Sequence, residues 1–381
     1  MSKQASKAKA ELLAHDPCWR QSPWRSRTRK RLVNWFREHA RELPWRSNPL
    51  PYNVWVSEIM LQQTQVATVL PYFHRWMNSF PTVQSLADAE EPTLMKHWEG
   101  LGYYRRVRSM HAAAKKIVAE HDGVFPTRFD DVLALPGVGR YTAGAVASIS
   151  QDQRKPVLEG NTQRVFSRWV ALQTPPTQPQ AAKLLWEIAE AMLPRTKGSG
   201  EFNQAAMELG ALVCTPKKPR CDICPVSSSC RANKLGLQDE IPGKIKAIQY
   251  ENRTEFALVV RNQKSARYLV RPLPAKARWA GLWDFPRATD ESTRSVEQAT
   301  GWLAEQLGVQ AKDIEVGDRL KTIRHAVTKY RITLNVHDAT LNSDAGTSRL
   351  PEPWQWLSLD ELSDKPLSVS GRKIAKWLVA S

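Results

Sequence analysis

Residues 135–143 read LPGVGRYTA, and this short stretch lies between two segments with helical periodicity. Its two glycines, Gly137 and Gly139, permit a tight turn and let a phosphate approach the backbone closely. The helix that follows would point free N–H groups and the positive end of its dipole at that phosphate. The stretch therefore predicts two helices joined by a phosphate-binding turn, with a plain helical turn as the alternative.

Helical periodicity continues on both sides of this turn. Residues 28–235 are predicted to form an all-helical domain, because apolar residues recur at helical spacing and Gly or Pro separates the segments. Residues 1–27 are polar and basic and are predicted to be a flexible tail. After the helix that starts near Thr28, predicted helices cover residues 54–70, 92–98, 105–121, 130–135, 141–149, 161–172, 178–193 and 201–213.

The pattern changes after Cys230. Residues 236–250 are predicted to be a linker, followed by a second domain over 251–375. In residues 330–336 apolar and polar side chains alternate, which is the period of a half-buried strand. The second domain is predicted to be α+β, with further strands at 256–260, 268–272 and 282–285 and one helix at 295–307.

The charge of the chain indicates a polyanionic partner. The 381 residues include 55 Lys and Arg against 38 Asp and Glu, a formal net charge of +17. Nucleic acid is favoured over a membrane surface, because no basic amphipathic helix with a continuous apolar face is evident. No apolar run approaches the roughly 20 residues that span a bilayer. The N-terminus has no apolar secretion signal, so a cytoplasmic location is expected, nucleoid-associated if the source is bacterial.

Four of the five cysteines follow the spacing Cys214-x6-Cys221-x2-Cys224-x5-Cys230. In an intracellular protein, such a local group indicates metal binding rather than disulfides. Four thiolates this close can surround one inorganic cluster, whereas a zinc site commonly uses two separated pairs on a longer loop. A structural zinc site is the alternative.

Glu58 is the one carboxylate in the segment 55–66, which reads WVSEIMLQQTQV. Burial in this uncharged segment would raise its pKa and let it act as a general acid near neutral pH. Taken alone, a solvent-facing helix glutamate is the commoner explanation.

The segment 55–66, the LPWR sequence at 43–46, the turn at 135–143 and the cysteine spacing together closely resemble the adenine-excising MutY family of helix–hairpin–helix DNA glycosylases. The resemblance implies a mainly α N-terminal helix–hairpin–helix glycosylase domain with a [4Fe–4S] loop, plus an α+β Nudix-like C-terminal domain. It also implies a monomer that binds double-stranded DNA and acts in base excision repair. Its reaction would be hydrolysis of the N-glycosidic bond of an adenine mispaired with 8-oxoguanine or guanine.

The resemblance also assigns roles to single residues. Glu58 takes the place of the acid that protonates the departing adenine, and the four cysteines take the place of the cluster ligands. An enzyme that acts on a base must extrude it and fill the gap it leaves. The residues matching the adenine pocket are Trp45, Arg46, Leu61 and Gln204, and those matching the elements that enter the duplex are Gln63, Thr64, Leu101, Gly102 and Tyr103.

Tyr141 separates the family from its lyase relatives. In endonuclease III-like enzymes the matching residue is a lysine, whose amine attacks the sugar before the strand is cut. A tyrosine cannot form that Schiff base, so a monofunctional glycosylase is expected. Some thymine-mismatch glycosylases also have tyrosine here, so this residue excludes lyases better than it selects adenine.

Glu159 departs from the family pattern, which has aspartate at this point. A carboxylate here would stabilise the positive charge that builds on the sugar as the glycosidic bond breaks. The added methylene lengthens the reach by about 1 Å, a displacement that can lower a rate about 100-fold. We nevertheless expect activity, because Glu58, Tyr141 and Asn161 match the family, and Asn161 matches a residue that holds the catalytic groups or water.

The C-terminal segment 276–286, KARWAGLWDFP, resembles Nudix-like domains, which in the MutY family check for 8-oxoguanine. The predicted helix lacks the glutamate cluster that holds metal in hydrolysing Nudix domains, so recognition without hydrolysis is expected. Many relatives have Phe-Ser-His where this chain has Val327-Thr328-Lys329. Thr328 keeps a hydroxyl that can bind a base edge. The alternative for Lys329 is a contact with phosphate.

Two other functions remain open from the sequence. One is a glycosylase that removes thymine or uracil from mismatches, against which the Glu58 segment argues. The other is a lesion-binding protein with a weakened catalytic site, suggested by Glu159 and Lys329. No helix with a base-reading pattern is evident, which argues against a sequence-specific regulator.

Overall fold

The computed structural model describes residues 15–243, 249–262, 265–275, 277–289, 293–342 and 350–380. Within these residues the chain forms two compact units. The first contains the described residues up to Asp88 and those from Ser109 to Gly243, and the second contains Ala89–Arg108 and the residues from 249 onward. No helix among the described residues is long and apolar enough to cross a membrane. The predicted domain boundaries at 27, 235 and 250 stay predictions.

The first unit is helical, as predicted. Several of its helices begin at a proline, such as Pro44 and Pro51, where the missing N–H would be unpaired in any case. Its core is rich in buried tryptophan, including Trp55 and Trp169. The helices of the N-terminal half are α1 (Ser22–His39), α2 (Pro44–Ser47), α3 (Pro51–Leu61), α4 (Val66–Ser79), α5 (Val83–Ala87), α6 (Glu91–Trp98, in the second unit), α7 (Arg105–His121), α8 (Phe129–Leu133), α9 (Arg140–Gln151), α10 (Gly160–Trp169), α11 (Pro179–Met192), α12 (Ser199–Leu212) and α13 (Arg231–Leu235), with 3₁₀ helices at Pro17–Arg20 and Ser227–Ser229.

A turn at residues 134–139 joins α8 to α9, as the sequence predicts, and residues 140–143 form the start of α9. Gly137 has a φ of +75°, which favours glycine, and a Cβ built there would lie 2.5 Å from the Cβ of Ser109. Gly139 is the extended N-cap of α9, and a Cβ there would meet nothing within 4 Å. The turn therefore requires glycine at 137, while Gly139 leaves the start of α9 uncovered.

The sequence prediction of one helix over residues 54–70 is wrong. The structure has two helices here, α3 and α4, which are separated at residues 62–65. Gln63 has a φ of +57°, which interrupts the helical backbone. Pro71, predicted to separate helices, lies inside α4. Residues 62–65 contain neither glycine nor proline, so nothing in the sequence marks the break.

Within the described residues, part of the predicted flexible tail is helical. A 3₁₀ helix forms at Pro17–Arg20, and α1 starts at Ser22. Trp19 and Trp24 are each only 8% exposed and belong to the core of the helical unit. Each indole buries a large apolar area, and this outweighs the basic residues around it. Residues 1–14 of the predicted tail lie outside the described residues.

The second unit is α+β, as predicted. Its sheet has the strand order β3-β2-β1-β6-β5, with β4 and β7 paired to β1 and β2. Strands β1 and β6 are parallel, and β5 and β6 form an antiparallel hairpin. The elements are β1 (Glu251–Arg261), β2 (Tyr268–Pro272), β3 (Trp283–Asp284), β4 (Arg287–Ala288), α14 (Val296–Leu307), a 3₁₀ helix at Ala311–Asp313, β5 (Ile314–Val327), β6 (Tyr330–Leu341), β7 (Gln355–Leu357), α15 (Leu359–Asp364) and α16 (Val369–Ala380).

Helices cover both faces of this sheet. Leu258 of β1 packs in one apolar cluster with Leu303 of α14, and its neighbour Val259 packs in another with Ile374 of α16. The sequence did not predict β5, because only two of its 14 residues are buried and no alternation is visible.

Candidate active site

A cavity of about 550 Å³ opens in the helical unit, a volume typical of ligand pockets. Its wall includes every residue that the sequence analysis assigned to catalysis and to base binding. They come from α2, α3, α9, α12 and the start of α10, elements far apart in the chain. These residues are Trp45, Arg46, Glu58, Leu61, Tyr141, Glu159, Asn161 and Gln204.

Glu58 lies in α3, whose sequence PYNVWVSEIML contains no other charge. The residue is 3% exposed, and its carboxylate accepts a hydrogen bond from the Tyr141 hydroxyl. Burial raises the pKa of Glu58 to about 7, the hydrogen bond from Tyr141 opposes this rise, and the charge of Glu159 adds to it. The solvent-facing alternative is wrong, and at neutral pH a large fraction of Glu58 holds a proton.

Tyr141 lies in the first turn of α9, directly after the glycine turn. Burial raises its pKa well above the ordinary value, and the charges of Glu58 and Glu159 act in the same direction. The phenol therefore stays protonated and serves as a hydrogen-bond donor.

Glu159 is the N-cap of α10. One carboxylate oxygen accepts the N–H of Asn161 at 2.8 Å, and the other accepts the N–H of Thr162 at 2.9 Å. The Thr162 hydroxyl in turn accepts the N–H of Glu159 at 2.8 Å, which completes a capping box. Burial raises the pKa of Glu159, and these backbone hydrogen bonds lower it. The longer side chain is thus fixed at the positive end of a helix, beside the cavity.

Arg164 connects Asn161 to the cysteine loop, a link that the sequence analysis missed. Its guanidinium donates to the Asn161 side-chain oxygen at 2.8 Å and to the Cys214 carbonyl at 2.7 Å. A third hydrogen bond, to the Gly210 carbonyl, is 2.8 Å long. Asn161 is therefore held on the same rigid frame as the first of the four cysteines.

Glu208 and Arg41 also line the cavity and were not predicted. Glu208 is 1% exposed and accepts two hydrogen bonds of 2.7 and 2.8 Å from the Arg41 guanidinium, one of 3.0 Å from the Arg41 N–H and one of 2.7 Å from Arg46. Burial alone would raise the pKa of Glu208, but the hydrogen bonds from these two arginines lower it to about 2. Glu208 therefore stays ionised and fixes the Arg46 guanidinium. A lone acid in the apolar stretch AAMELGAL was the one available signal.

The predicted duplex-entering residues are divided between the two units. In the helical unit, Thr64 lines the cavity and Gln63 is exposed. In the second unit, Leu101 is buried, Gly102 has a φ of +70°, and Tyr103 is 56% exposed. Tyr103 itself has a φ of +47°, which is uncommon for a tyrosine.

The loop at Val327–Lys329 is a tight turn between β5 and β6. Thr328 has a φ of +52° and is exposed. Lys329 forms a 2.6 Å ion pair with Glu251, and this pair raises the pKa of Lys329. The Lys329 ammonium is thus partly neutralised.

Comparison with known proteins gives the family. Residues 56–191 match the model of the HhH-GPD superfamily base excision DNA repair proteins. The adenine DNA glycosylase of Rattus norvegicus is 34% identical over 91% of this chain and 77% of its own length. The chain belongs to the adenine DNA glycosylase family. The Mus musculus adenine DNA glycosylase is equally similar, at 34% identity over 91% of this chain and 76% of its own.

Two further family models match the parts of this chain that follow residue 191. Residues 256–377 match a NUDIX domain, and residues 214–230 match the iron–sulfur binding domain of endonuclease III. A solved thermostable thymine-DNA glycosylase aligns with 56% of this chain and 98% of its own, at 24% identity and a TM-score of 0.52. That likeness shows the helical fold only.

The cysteine loop fits the family's [4Fe–4S] cofactor. Burial raises the pKa of the Cys224 thiol to about 12, and the charges of the other three cysteines add to the rise. Arg168 donates to Cys214 Sγ at 3.2 Å, which suits a thiolate. Within the described residues, no three His, Cys, Asp or Glu side chains are placed to hold a single metal ion.

Proposed function

We propose that this chain is a monofunctional DNA glycosylase that hydrolyses the bond between adenine and deoxyribose in base excision repair. The observation that carries the proposal is the buried Glu58, whose pKa is raised to about 7 and whose carboxylate lies in one cavity with Tyr141 and Glu159. An acid that is protonated at neutral pH is what a departing purine requires.

In the proposed reaction, Glu58 gives its proton to a ring nitrogen of the extruded adenine. The glycosidic bond breaks, its electron pair leaves with the base, and the sugar becomes an oxocarbenium ion. The ionised Glu159 stabilises that cation, with Asn161 holding the catalytic groups or water. Water adds to the sugar carbon and its proton returns to Glu58. Tyr141 has no amine, so no Schiff base forms and the product is an abasic site.

The two carboxyl groups can divide these tasks because they share one cavity. Two acids that interact closely do not ionise together, and the second proton is held more tightly. Glu159 has two backbone N–H donors and a helix N-terminus to favour its anion, whereas Glu58 has one phenol. We therefore assign the proton to Glu58 and the negative charge to Glu159.

We propose that the rest of the cavity recognises adenine. Trp45 and Leu61 supply apolar contact, and Gln204 supplies an amide that can pair with the edge of the base. Arg46 supplies a fixed donor because Glu208 holds its guanidinium at 2.7 Å.

The proposed partner is double-stranded DNA with an adenine opposite 8-oxoguanine or guanine, bound by a monomer in the cytoplasm or on the nucleoid. Gly137 and Gly139 would bring the start of α9 against a phosphate. The net charge of +17 supports such binding. The residues that would enter the duplex are Gln63, Thr64, Leu101, Gly102 and Tyr103. The lesion strand would be contacted by Thr328 and Lys329. The cluster would be held by Cys214, Cys221, Cys224 and Cys230.

The experiment is single-turnover base release from a panel of duplexes: 8-oxoguanine:adenine, guanine:adenine, guanine:thymine and guanine:uracil. We expect adenine release from the first two duplexes and no pyrimidine release from the other two. The DNA strand should stay intact unless the abasic product is treated with alkali. The matched Glu58→Gln variant should bind the same duplexes but release little base. Pyrimidine release alone would favour the thymine or uracil alternative, and tight binding without any release would favour the lesion-binding alternative.

A further inference from the structure

Cys230 is the last of the four loop cysteines. Residues on both sides of it in sequence are bonded to residues 16–31, which we call the N-terminal segment. The Trp24 indole N–H donates to the Ser229 carbonyl at 3.2 Å. Arg31 donates to the Ser228 hydroxyl. On the other side of Cys230, Arg231 forms a 3.0 Å ion pair with Asp16.

The N-terminal segment has its own anchors, away from the cysteine loop. The Asp16 N–H donates to the Val170 carbonyl at 2.7 Å, just past the end of α10. The Asp16 carboxylate caps the 3₁₀ helix by accepting the Cys18 N–H at 2.8 Å. Trp24 packs edge-on against Trp169, with ring centroids 6.3 Å apart. The segment is therefore fixed to the helical core and can hold the loop against it.

The inner side of Cys230 contacts α10. Cys230 is 8% exposed, and its Sγ lies 3.4 Å from the Arg168 carbonyl. The guanidinium of the same Arg168 donates to Cys214 Sγ at 3.2 Å. Cys230 therefore contacts α10 on its inner side. The residues next to it in sequence, Ser229 and Arg231, are bonded to the N-terminal segment on the outer side.

We propose that the N-terminal segment is a clamp that positions Cys230 and keeps the iron–sulfur cluster from losing iron. Asp16 and Trp24 are positioning residues in this proposal, because they act through the residues on either side of the ligand. The proposal rests on the cluster and not on base excision. It predicts that weakening the clamp speeds iron loss while the helical fold persists.

Two tryptophans provide a matched test. Both Trp19 and Trp24 are 8% exposed, but the Trp19 indole N–H is buried without a hydrogen-bond partner, whereas that of Trp24 bonds Ser229. Trp24→Phe therefore removes both bulk and a clamp bond, and Trp19→Phe removes bulk alone. In the purified holoprotein, decay of the visible cluster absorbance with an iron chelator should be about fivefold faster in Trp24→Phe than in Trp19→Phe. Circular dichroism should show that both variants keep the helical content of the unaltered protein at the temperature of the assay.

A second pair of variants tests the other side of Cys230. Asp16→Asn keeps the cap on the 3₁₀ helix but removes the charge facing Arg231, and Arg231→Gln removes the opposite charge. Each should speed iron loss about twofold, as expected for a partly exposed ion pair, and the double variant should lose iron no faster than either single one. Equal decay in Trp19→Phe and Trp24→Phe would overturn the clamp. An unaltered protein without visible absorbance would instead reject the cluster.

Discussion

Two of the glutamates in the cavity wall, Glu58 and Glu159, lie in opposite surroundings. Glu58 lies in the middle of an apolar helix and has one phenol as a hydrogen-bond donor, whereas Glu159 lies at the start of a helix and has two backbone N–H donors. Burial raises the pKa of both, but only at Glu159 do backbone donors oppose it. In the proposed reaction, position along a helix therefore decides which residue serves as acid and which as anion.

The same comparison accounts for the unusual residue at 159. In the capping box the carboxylate needs only to reach the second and third N–H groups of α10, and a glutamate does so at 2.8 and 2.9 Å. The capping box therefore accommodates the extra methylene of glutamate without losing either hydrogen bond. We therefore expect the departure from aspartate to be tolerated, and the following changes test the division of roles.

The largest expected effect comes from Glu58→Gln. The amide keeps the volume of the side chain and can still accept from Tyr141, but it has no acidic proton, so adenine release should fall about 10²- to 10⁴-fold. Single-turnover kinetics on an 8-oxoguanine:adenine duplex measure this, with duplex affinity as the control. A loss of less than tenfold would mean that another group supplies the proton.

The next effect is that of Glu159→Gln, which removes the negative charge facing the sugar. The rate should fall about 10²- to 10³-fold, the usual effect of removing one electrostatic stabiliser. Glu159→Asp keeps both the charge and the ability to cap a helix and should stay within about tenfold of the unaltered protein. Equal losses in the two variants would show that the charge at this position is not what matters.

The pH profile should separate the two groups. The pKa of Glu58 is raised to about 7, so its acidic form is complete below that pH and the rate should fall tenfold per unit above it. The pKa of Glu159 is also raised, so an acidic limb should begin above the ordinary range of a glutamate. Stopped reactions between pH 5 and 9 measure both limbs. An alkaline limb that persists in Glu58→Gln would assign it to a different group.

The smallest effect is expected from Tyr141→Phe. The hydrogen bond from Tyr141 lowers the pKa of Glu58, so its removal should move the alkaline limb to higher pH. Near pH 6, where Glu58 is protonated in either case, the rate should change by less than about fivefold. A shift of the limb toward lower pH would contradict the proposed hydrogen bond.

Much of the site was predictable because its residues stand out locally. The glycine turn is marked by Gly137, and Glu58 is a single charge in an apolar helix. Resemblance to the family then placed Tyr141, Glu159 and Asn161, which the structure brings into one cavity.

The missed features depend on tertiary contacts. Arg41 and Glu208 are 167 positions apart in the chain, and neither has a neighbour in sequence that reveals the pair. The break at Gln63 has no glycine or proline to mark it, and β5 has too few buried residues to show a strand period. The burial of Trp19 and Trp24 was hidden by the basic residues around them.

The burial of Glu58 also lowers the thermal stability of the fold at alkaline pH. A carboxyl whose pKa is raised from 4.5 to about 7 in the folded state holds its proton more tightly there than in the unfolded chain, so the fold loses stability as pH rises between these values. Glu58→Gln escapes this penalty and should melt a few degrees higher at pH 8, with no gain at pH 4. Calorimetry at the two pH values would detect it. Directed evolution that selects only for thermal survival in alkaline buffer would then enrich inactive variants.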